Sequence, residues 1–247
     1  MVWEILGNLL QKNIKDNLSE AHKGQISGMK NKHHTKETKD KISKANKGAI
    51  SWNTEKNHCN ISQENIEWIN GELLGDGSLV SSSSYSARVC YASKFLEYIN
   101  YISIILKSFG IEQSGEIYKQ YHKKFNCYSY GYHSKMYVEL LAIRRKWYPN
   151  GKKIVPRDII ITPITLRQWF IGDGYLRKRK KGRPHIILAT DGFSISDIEW
   201  LVVQLNKLGF KAKRVSLIIY ISAHSTREFV NYIGECPAKC YQYKFDY

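Results

Sequence analysis

Two apolar, helix-like runs in this chain end in the same tripeptide, Gly-Asp-Gly. One is Ile69-Asn70-Gly71-Glu72-Leu73-Leu74-Gly75-Asp76-Gly77, the other Leu166-Arg167-Gln168-Trp169-Phe170-Ile171-Gly172-Asp173-Gly174. The two aspartates stand 97 residues apart (173 minus 76), about one small-domain length rather than one supersecondary repeat. The spacing predicts two half-domains, each delivering one acid from the last turn of a helix to a shared site. A carboxylate there opposes the partial negative charge of the last carbonyls, at a cost of about 0.3–1 kcal/mol. Two such acids in matching frames predict positive charge beyond the helix ends, and a divalent cation is the simple candidate, since hard cations prefer carboxylate and carbonyl oxygens. The flanking glycines let two backbones approach and let the chain turn sharply. A single Asp-Gly only marks a turn; the repeated apolar frame sets this pair apart.

Charge narrows the partner. A formal net charge of +16 over 247 residues points to a polyanion, and 43% hydrophobic residues suffice for one or two domains with a real core. No run approaches the 18 apolar residues that span a bilayer, so no membrane role is expected. The stretch Met1–Lys12 contains Glu4 and lacks the layout of a signal or transit peptide. Five cysteines, Cys59, Cys90, Cys127, Cys236 and Cys240, include no C-x-x-C pair and fit reduced structural thiols. His33, His34, His58 and Cys59 lack the spacing of a zinc site. Lys, Asn, Ile and Tyr number 28, 15, 29 and 17, and all four have A/T-rich codons. An organelle (mitochondrion or chloroplast), or a phage or bacterial cytoplasm, is the expected setting; secretion is not.

Composition breaks near residue 60. All 17 tyrosines and all 8 phenylalanines follow it, whereas residues 1–60 hold 11 Lys against 6 acids and form a basic arm too poor in apolar residues for a conventional core. The arm repeats itself: Lys15-Asp16-Asn17-Leu18-Ser19-Glu20-Ala21-His22-Lys23-Gly24 returns as Lys39-Asp40-Lys41-Ile42-Ser43-Lys44-Ala45-Asn46-Lys47-Gly48. Each copy predicts a short helix stopped by glycine. Such units are too small to fold strongly alone but could order along a DNA backbone; a solvated basic linker is the alternative.

From Ile61 one order of elements is used twice, over 61–157 and 158–247. In the first half Ser62 caps a helix to Leu74. Strands follow near Ser78–Ser82 and Arg88–Ala92, a helix over Phe95–Phe109, strands near Gly115–Tyr121 and Cys127–Tyr132, and a helix over Met136–Lys146. In the second, Thr162-Pro163 starts a helix reaching Gly172. Strands Tyr175–Lys180 and His185–Ala189, a helix over Ser196–Leu208, strands Lys211–Val215 and Ile218–Ser222, and a helix over Thr226–Ile233 complete it. Each half reads αββαββα, an α+β class with helices on one sheet face and the other face free for a ligand.

These features resemble a LAGLIDADG homing endonuclease of the single-chain, two-motif type over roughly Ile61–Tyr247. The resemblance rests on the two motifs, on the junction Lys146-Trp147-Tyr148-Pro149-Asn150-Gly151-Lys152-Lys153-Ile154-Val155-Pro156 leading into Thr162–Leu166 and Trp169-Phe170, on Thr190–Ser194, and on the ending Tyr243-Lys244-Phe245. The N-terminal repeats resemble the nuclease-associated modular DNA-binding repeats appended to such enzymes. The resemblance implies two pseudo-symmetric halves forming a DNA-binding saddle. It makes Asp76 and Asp173 the metal-binding acids, beside the backbone of Gly75 and Gly172, and Lys153 and Lys244 the active-site lysines. It implies Mg2+, with Mn2+ possible, and a double-stranded DNA target held by a monomer. Asn70 and Arg167 stand where the family has alanine and Gln168 where it has a small residue, which predicts a looser helix seam.

Such a set suits phosphodiester hydrolysis, which needs an activated water, a neutralised pentavalent phosphate and help for the leaving 3′ oxygen. One acid and one lysine per strand suit a double-strand cut. Binding would use the free sheet faces through Arg88, Lys119, Tyr128 and Tyr130, aided by Tyr121 and Asn126, in the first half, and Arg177, Arg179, Lys211 and Lys213 in the second. Two other roles fit the same scaffold: a maturase acting on host intron RNA, and a non-catalytic DNA-binding regulator, which predicts degraded acids.

Overall fold

The computed structural model describes residues 33–46, 57–178 and 182–247. The chain divides into two units, Met1–Thr54 and Glu55–Tyr247. In the first, helix α1 (Lys36–Asn46) contains most of the second basic repeat; Thr35 Oγ1 accepts the N–H of Thr38, and Lys41 pairs with Glu37 one turn before it at 2.7 Å. The first repeat, and Lys47 and Gly48 of the second, lie outside the described residues.

The second unit holds two copies of αββαββα. The first is α2 (Gln63–Leu74), β1 (Ser78–Val80), β2 (Arg88–Ser93), α3 (Leu96–Ser108), β3 (Tyr118–His122), β4 (Cys127–His133) and α4 (Val138–Trp147). The second is α5 (Pro163–Asp173), β5 (Gly174–Arg177), β6 (His185–Ala189), α6 (Ile195–Lys207), β7 (Ala212–Val215), β8 (Ile218–Ile221) and α7 (Thr226–Ile233), followed by a 3-10 turn over Lys239–Lys244. The caps are those the sequence signals. Ser62 Oγ accepts the N–H of Asn65 at 3.2 Å, and Thr162 Oγ1 accepts that of Thr165 at 3.2 Å with Pro163 in the first turn. Strand bounds differ by more than one residue in three places. β1 stops at Val80 because Ser81 folds back onto the carbonyls of Ser83 and Ser86. β3 starts at Tyr118 because Gly115 sits at φ +72, outside extended space. β5 ends at Arg177, and Arg179 lies outside the described residues.

Each half forms a four-stranded antiparallel sheet, ordered β1-β2-β4-β3 and β5-β6-β8-β7. Strand alternation assigns the faces. Val89, Tyr91 and Tyr132 in one sheet, and Ile186, Leu188, Ile219 and Ile221 in the other, turn into the helices and are buried. Arg88, Cys90, Ala92 and His133 take the opposite face of the first sheet, and Tyr175, Arg177, His185, Tyr220 and Lys213 that of the second, as their cross-strand pairings require.

Helices α2 and α5 meet at the seam between the halves, and small residues set their approach. A Cβ on Gly75 would lie 3.2 Å from Gly172 Cα, and one on Gly71 only 2.5 Å from the Thr165 carbonyl oxygen and 2.8 Å from Gln168 Cβ. The expectation of a looser seam is therefore not met: Gly71 vacates the space that Gln168 fills, and Gln168 is fully buried. Thr165 Oγ1 donates across the seam to the Glu67 carbonyl at 3.1 Å, and Trp147 Nε1 donates to Asn70 Oδ1 at 2.9 Å, so Asn70 has a buried partner of its own. Gly71→Ala forces these helices apart and costs about 1–3 kcal/mol. Thermal unfolding will report it as a Tm lowered by roughly 2–4 °C per kcal/mol; an unchanged Tm contradicts the close seam.

Candidate catalytic and nucleic-acid-binding site

The seam brings the two motif ends together. The peptide units of Gly75 and Gly172 touch, so Asp76 and Asp173 emerge side by side at the C-terminal ends of α2 and α5. The second glycine of each motif serves the turn: a Cβ on Gly77 would meet the Glu72 carbonyl oxygen at 2.8 Å, and one on Gly174 the Phe170 ring at 2.2 Å. No side chain larger than hydrogen lets the chain leave the helix there.

The positive charge demanded by two acids at helix C-termini comes first from the protein. Lys153 Nζ donates to the carbonyls of Gly75 (3.2 Å) and Gly77 (2.9 Å), just past the C-terminus of α2. Lys244 Nζ donates to the carbonyls of Ile171 (2.5 Å) and Gly172 (3.1 Å), the end of α5. Lys153 lies in the junction after α4, and Lys244 on the 3-10 turn that closes the chain. Each ammonium thus neutralises its own half's helix end while its strongest charge partner is the other half's acid, Asp173 for Lys153 and Asp76 for Lys244.

Burial dominates the titration of all four groups. It pushes Asp173 up to about 6, reinforced by Asp76 and Asp191 and opposed by the lysines. It also raises Asp76, against the pull of Lys244 and then Lys153. Burial lowers both Lys153 and Lys244 to about 8, with the acids holding them from falling further. In the free protein, methyl-labelled Lys153 and Lys244 will therefore titrate near pH 8 in an NMR series, about two units below a surface lysine. Titration of both near 10 contradicts their burial among the helix ends.

Behind the acids lies a group that the motif frame hid. Glu72, one turn before Asp76, is buried at the seam. Tyr98 donates its hydroxyl to Glu72 Oε1 at 2.8 Å, and the Gln168 amide, oriented to satisfy its neighbours, donates to the same oxygen at 3.0 Å while accepting from Trp68 Nε1 at 3.2 Å. Burial pushes Glu72 up to about 8, against the hydrogen bond of Tyr98 and the pull of the nearby Tyr91 hydroxyl. An acid inside an apolar run reads in sequence as an exposed position; only the opposing Gln168 hints otherwise.

The donor set fits a hard divalent cation. Two carboxylates flanked by backbone carbonyls offer oxygen only, and magnesium binds through one or two carboxylates with water and substrate phosphate completing its shell. Among the described residues no group of three or more His, Cys, Asp or Glu side chains could hold a metal by itself, so phosphate and water would supply the remaining ligands.

The model of the LAGLIDADG DNA endonuclease family matches residues 66–229, most of the second unit. The chain belongs to that family. The NUMOD3 motif matches twice, over residues 12–43 and 31–64, where the basic repeats lie. Among curated relatives, this family member is 28% identical over 150 residues to the uncharacterized protein MJ1098 of Methanocaldococcus jannaschii, covering 60% of this chain and 58% of that one. It is 25% identical over 163 residues to the cytochrome b mRNA maturase bI2 of Debaryomyces hansenii, covering 59% and 57%. The match spans less than two thirds of either relative. Among solved structures, the homing endonuclease I-WcaI bound to its DNA recognition sequence superposes with a TM-score of 0.65 at 20% identity, covering 83% of this chain and 98% of that one; this likeness is one of fold.

The remaining sequence-predicted residues of this LAGLIDADG chain fall on two faces. Arg88, Arg177 and Lys213 lie on the open faces, and Lys211 stands one step before β7 in phase with Lys213. Lys213 Nζ sits 5.4 Å from the Tyr220 ring, which packs on His185 at 4.7 Å. On the helix side Lys119 pairs with Tyr130 and Tyr121 with Tyr128 across β3 and β4; Lys119, Tyr121 and Tyr128 are exposed and Tyr130 is half-buried. There Lys119 Nζ lies 4.2 Å from the Tyr128 ring, and Tyr121 donates to Asn126 Oδ1 at 2.8 Å. Arg88 and the Lys119 group therefore do not share a patch. Sequence spacing alone did not expose this, because alternation fixes relative phase and not which phase the helices cover.

Proposed function

We propose that this protein is a site-specific endonuclease that hydrolyses one phosphodiester bond in each strand of duplex DNA with a divalent metal, Mg2+ or Mn2+, and so spreads its host intron. One observation carries the reading: Asp76 and Asp173 converge at the seam, and Lys153 and Lys244 sit on the carbonyls of the two helix ends from which they emerge. Asp76, Asp173 and the carbonyls of Gly75 and Gly172 would hold the metal, which when bound supplies charge for the pentavalent phosphate and a more acidic water. The chain's own residues do the rest. Lys153 and Lys244, each lowered to about 8, can hold or release a proton at Nζ near neutral pH and place positive charge beside each scissile phosphate. Both acids sit in one chain, so a monomer contains the whole site.

The duplex would lie across the open faces, with Arg88, Arg177, Lys211 and Lys213 on bases and phosphates, and the basic N-terminal repeats would extend the contact along the backbone. Arg177→Ala or Lys213→Ala will lower the slope of log affinity against log salt by about 1 if the residue holds a phosphate. An unchanged slope and affinity in both variants removes the open face of the second sheet from the interface. The test of function is linearisation of members of a supercoiled plasmid library with a randomised insert, dependent on Mg2+ and stopped by EDTA. A purified protein that linearises none overturns the proposal. Likeness to the Debaryomyces hansenii maturase supports a second role on intron RNA; an intron-splicing assay with purified protein decides it, and no effect on splicing rejects that role.

A further inference from the structure

The two halves of the site are unlike at one pair of equivalent positions. Cys90 pairs with Ser78 in the first half, and Ile187 pairs with Tyr175 in the second. Both members of the pair are shifted by 97, the same offset that relates Asp76 to Asp173. The register therefore runs unbroken from the motif acids through β2 and β6. Lys94 and Asp191 each follow their motif acid by 18 residues (94 minus 76, 191 minus 173), just beyond the strand ends. Both side chains are exposed.

Lys94 stands beside Lys244, and Asp191 beside Asp173. Ser93 shares a hydrogen bond with the Tyr241 hydroxyl at 3.2 Å, and Phe95 packs edge-on to the Tyr241 ring at 5.2 Å. Lys244 Nζ lies 5.0 Å above that same ring. Lys94, between Ser93 and Phe95, is thereby anchored beside Lys244, and its charge helps to lower the Lys244 ammonium. On the other side Phe193, two residues past Asp191, lies 5.8 Å from Lys153 Nζ. Asp191 is close enough to Asp173 to raise it. One half-site thus gathers Asp76, Lys244 and Lys94, and the other Asp173, Lys153 and Asp191. Their formal charges differ by two.

We infer that Lys94 and Asp191 make the two half-sites unequal, so that the strand held at Asp76–Lys244–Lys94 is cut first and the reaction passes through a nicked duplex. The inference rests on the endonuclease reading. In each cut one water adds across one P–O3′ bond. The water oxygen bonds to phosphorus, the P–O3′ bond breaks, and the proton given up by the water is balanced by the one the 3′ oxygen takes, leaving a 5′-phosphate and a 3′-hydroxyl. The pentavalent phosphate carries one more negative charge than the diester. An extra ammonium at its rim speeds this step and an extra carboxylate slows it. Neither residue need touch the reacting atoms; each tunes the field in which they react.

The test uses the full chain, saturating Mg2+, and a cleavable duplex recovered from the randomised library with a different fluorophore on each strand. The parent protein accumulates one nicked strand before the second is cut. Lys94→Ala slows the first cut about tenfold and Asp191→Asn speeds the second several-fold, the order expected of one partly screened charge. The exchange Lys94→Asp with Asp191→Lys reverses the strand order, which loss of fold could not do. A readout without metal accompanies it: in EDTA, Lys94→Ala weakens retention of the duplex in a gel and Asp191→Asn strengthens it. Equal strand rates in the parent, or an order unchanged by the exchange, overturn this inference alone. No cleavage by the parent overturns the endonuclease reading and this inference with it.

Discussion

Asp76→Asn and Asp173→Asn will each remove plasmid linearisation, by about a hundredfold or more, while retention of the same duplex in a gel stays within a few-fold of the parent. Asparagine keeps the shape and one oxygen of the side chain but loses the charge that would hold a divalent cation. Removing one electrostatic partner of a phosphoryl transition state costs about 10²–10³ in rate. Linear product requires both strands to break, so the loss of one acid is enough. Binding is retained because the acids contribute negative charge at the centre of a basic chain and make no favourable contact with phosphate by themselves.

Stability will move in the opposite direction for Asp173→Asn. Its folded carboxyl titrates at about 6 against an ordinary 3.8, so the native state binds more protons than the unfolded chain between those values. Stability is therefore lost as pH rises through that window and stays lost above it. The amide removes the penalty and stabilises the protein at pH 7 by about 1–2 kcal/mol. An inactive but more stable Asp173→Asn variant is the signature of an acid held for chemistry. Full cutting by both variants sinks the metal-site assignment.

Glu72 carries the second large effect, on stability alone. Its folded value of about 8 against an ordinary 4.5 means that it is mainly protonated at neutral pH in the native state. The sign follows from proton uptake. Between about 4.5 and about 8 the folded chain holds a proton that the unfolded chain has lost, and stability falls by as much as about 1.4 kcal/mol per pH unit. Glu72→Gln removes this slope. The glutamine oxygen can still accept from Tyr98 and Gln168, and its amide nitrogen can occupy the position of Oε2, the buried oxygen that lacks a hydrogen-bond partner among the described residues. The variant is thus isosteric and stabilised by a few kcal/mol near pH 7.

Glu72→Ala behaves differently, because it opens a cavity and strands the Tyr98 hydroxyl and the Gln168 amide; about 2–4 kcal/mol is lost. Urea unfolding at pH 5, 6.5 and 8 separates the three proteins. Equal pH slopes for the parent and Glu72→Gln contradict a protonated Glu72.

Much of this architecture was legible before any coordinate. Local rules sufficed wherever the determinant lay within a few residues: Ser62 and Thr162-Pro163 start helices, Gly209 at φ +91 stops one, and alternating apolar residues mark the strands. Where a strand bound departs from the sequence expectation, the cause is also local but less visible, a side chain of Ser81 bonding its own turn or the left-handed Gly115. The acids and lysines could be named from the family resemblance, yet nothing local distinguishes Lys153 from neighbouring Lys152 or Lys244 from the chain's other lysines.

The sequence by itself determined that two equivalent halves exist and that each ends a helix with an acid, because helix periodicity, caps and a repeated frame are properties of short segments. Only the tertiary structure decided how the halves complete each other. It brought Gly75 against Gly172, laid Lys153 and Lys244 on the two helix ends, buried Glu72 against Gln168, and seated Lys94 beside Lys244. Charge interactions and burial depend on distance through space, and the partners that close the seam, Lys244 with Ile171, Lys153 with Gly75, Glu72 with Gln168 and Gly75 with Gly172, lie roughly 70 to 100 residues apart along the chain.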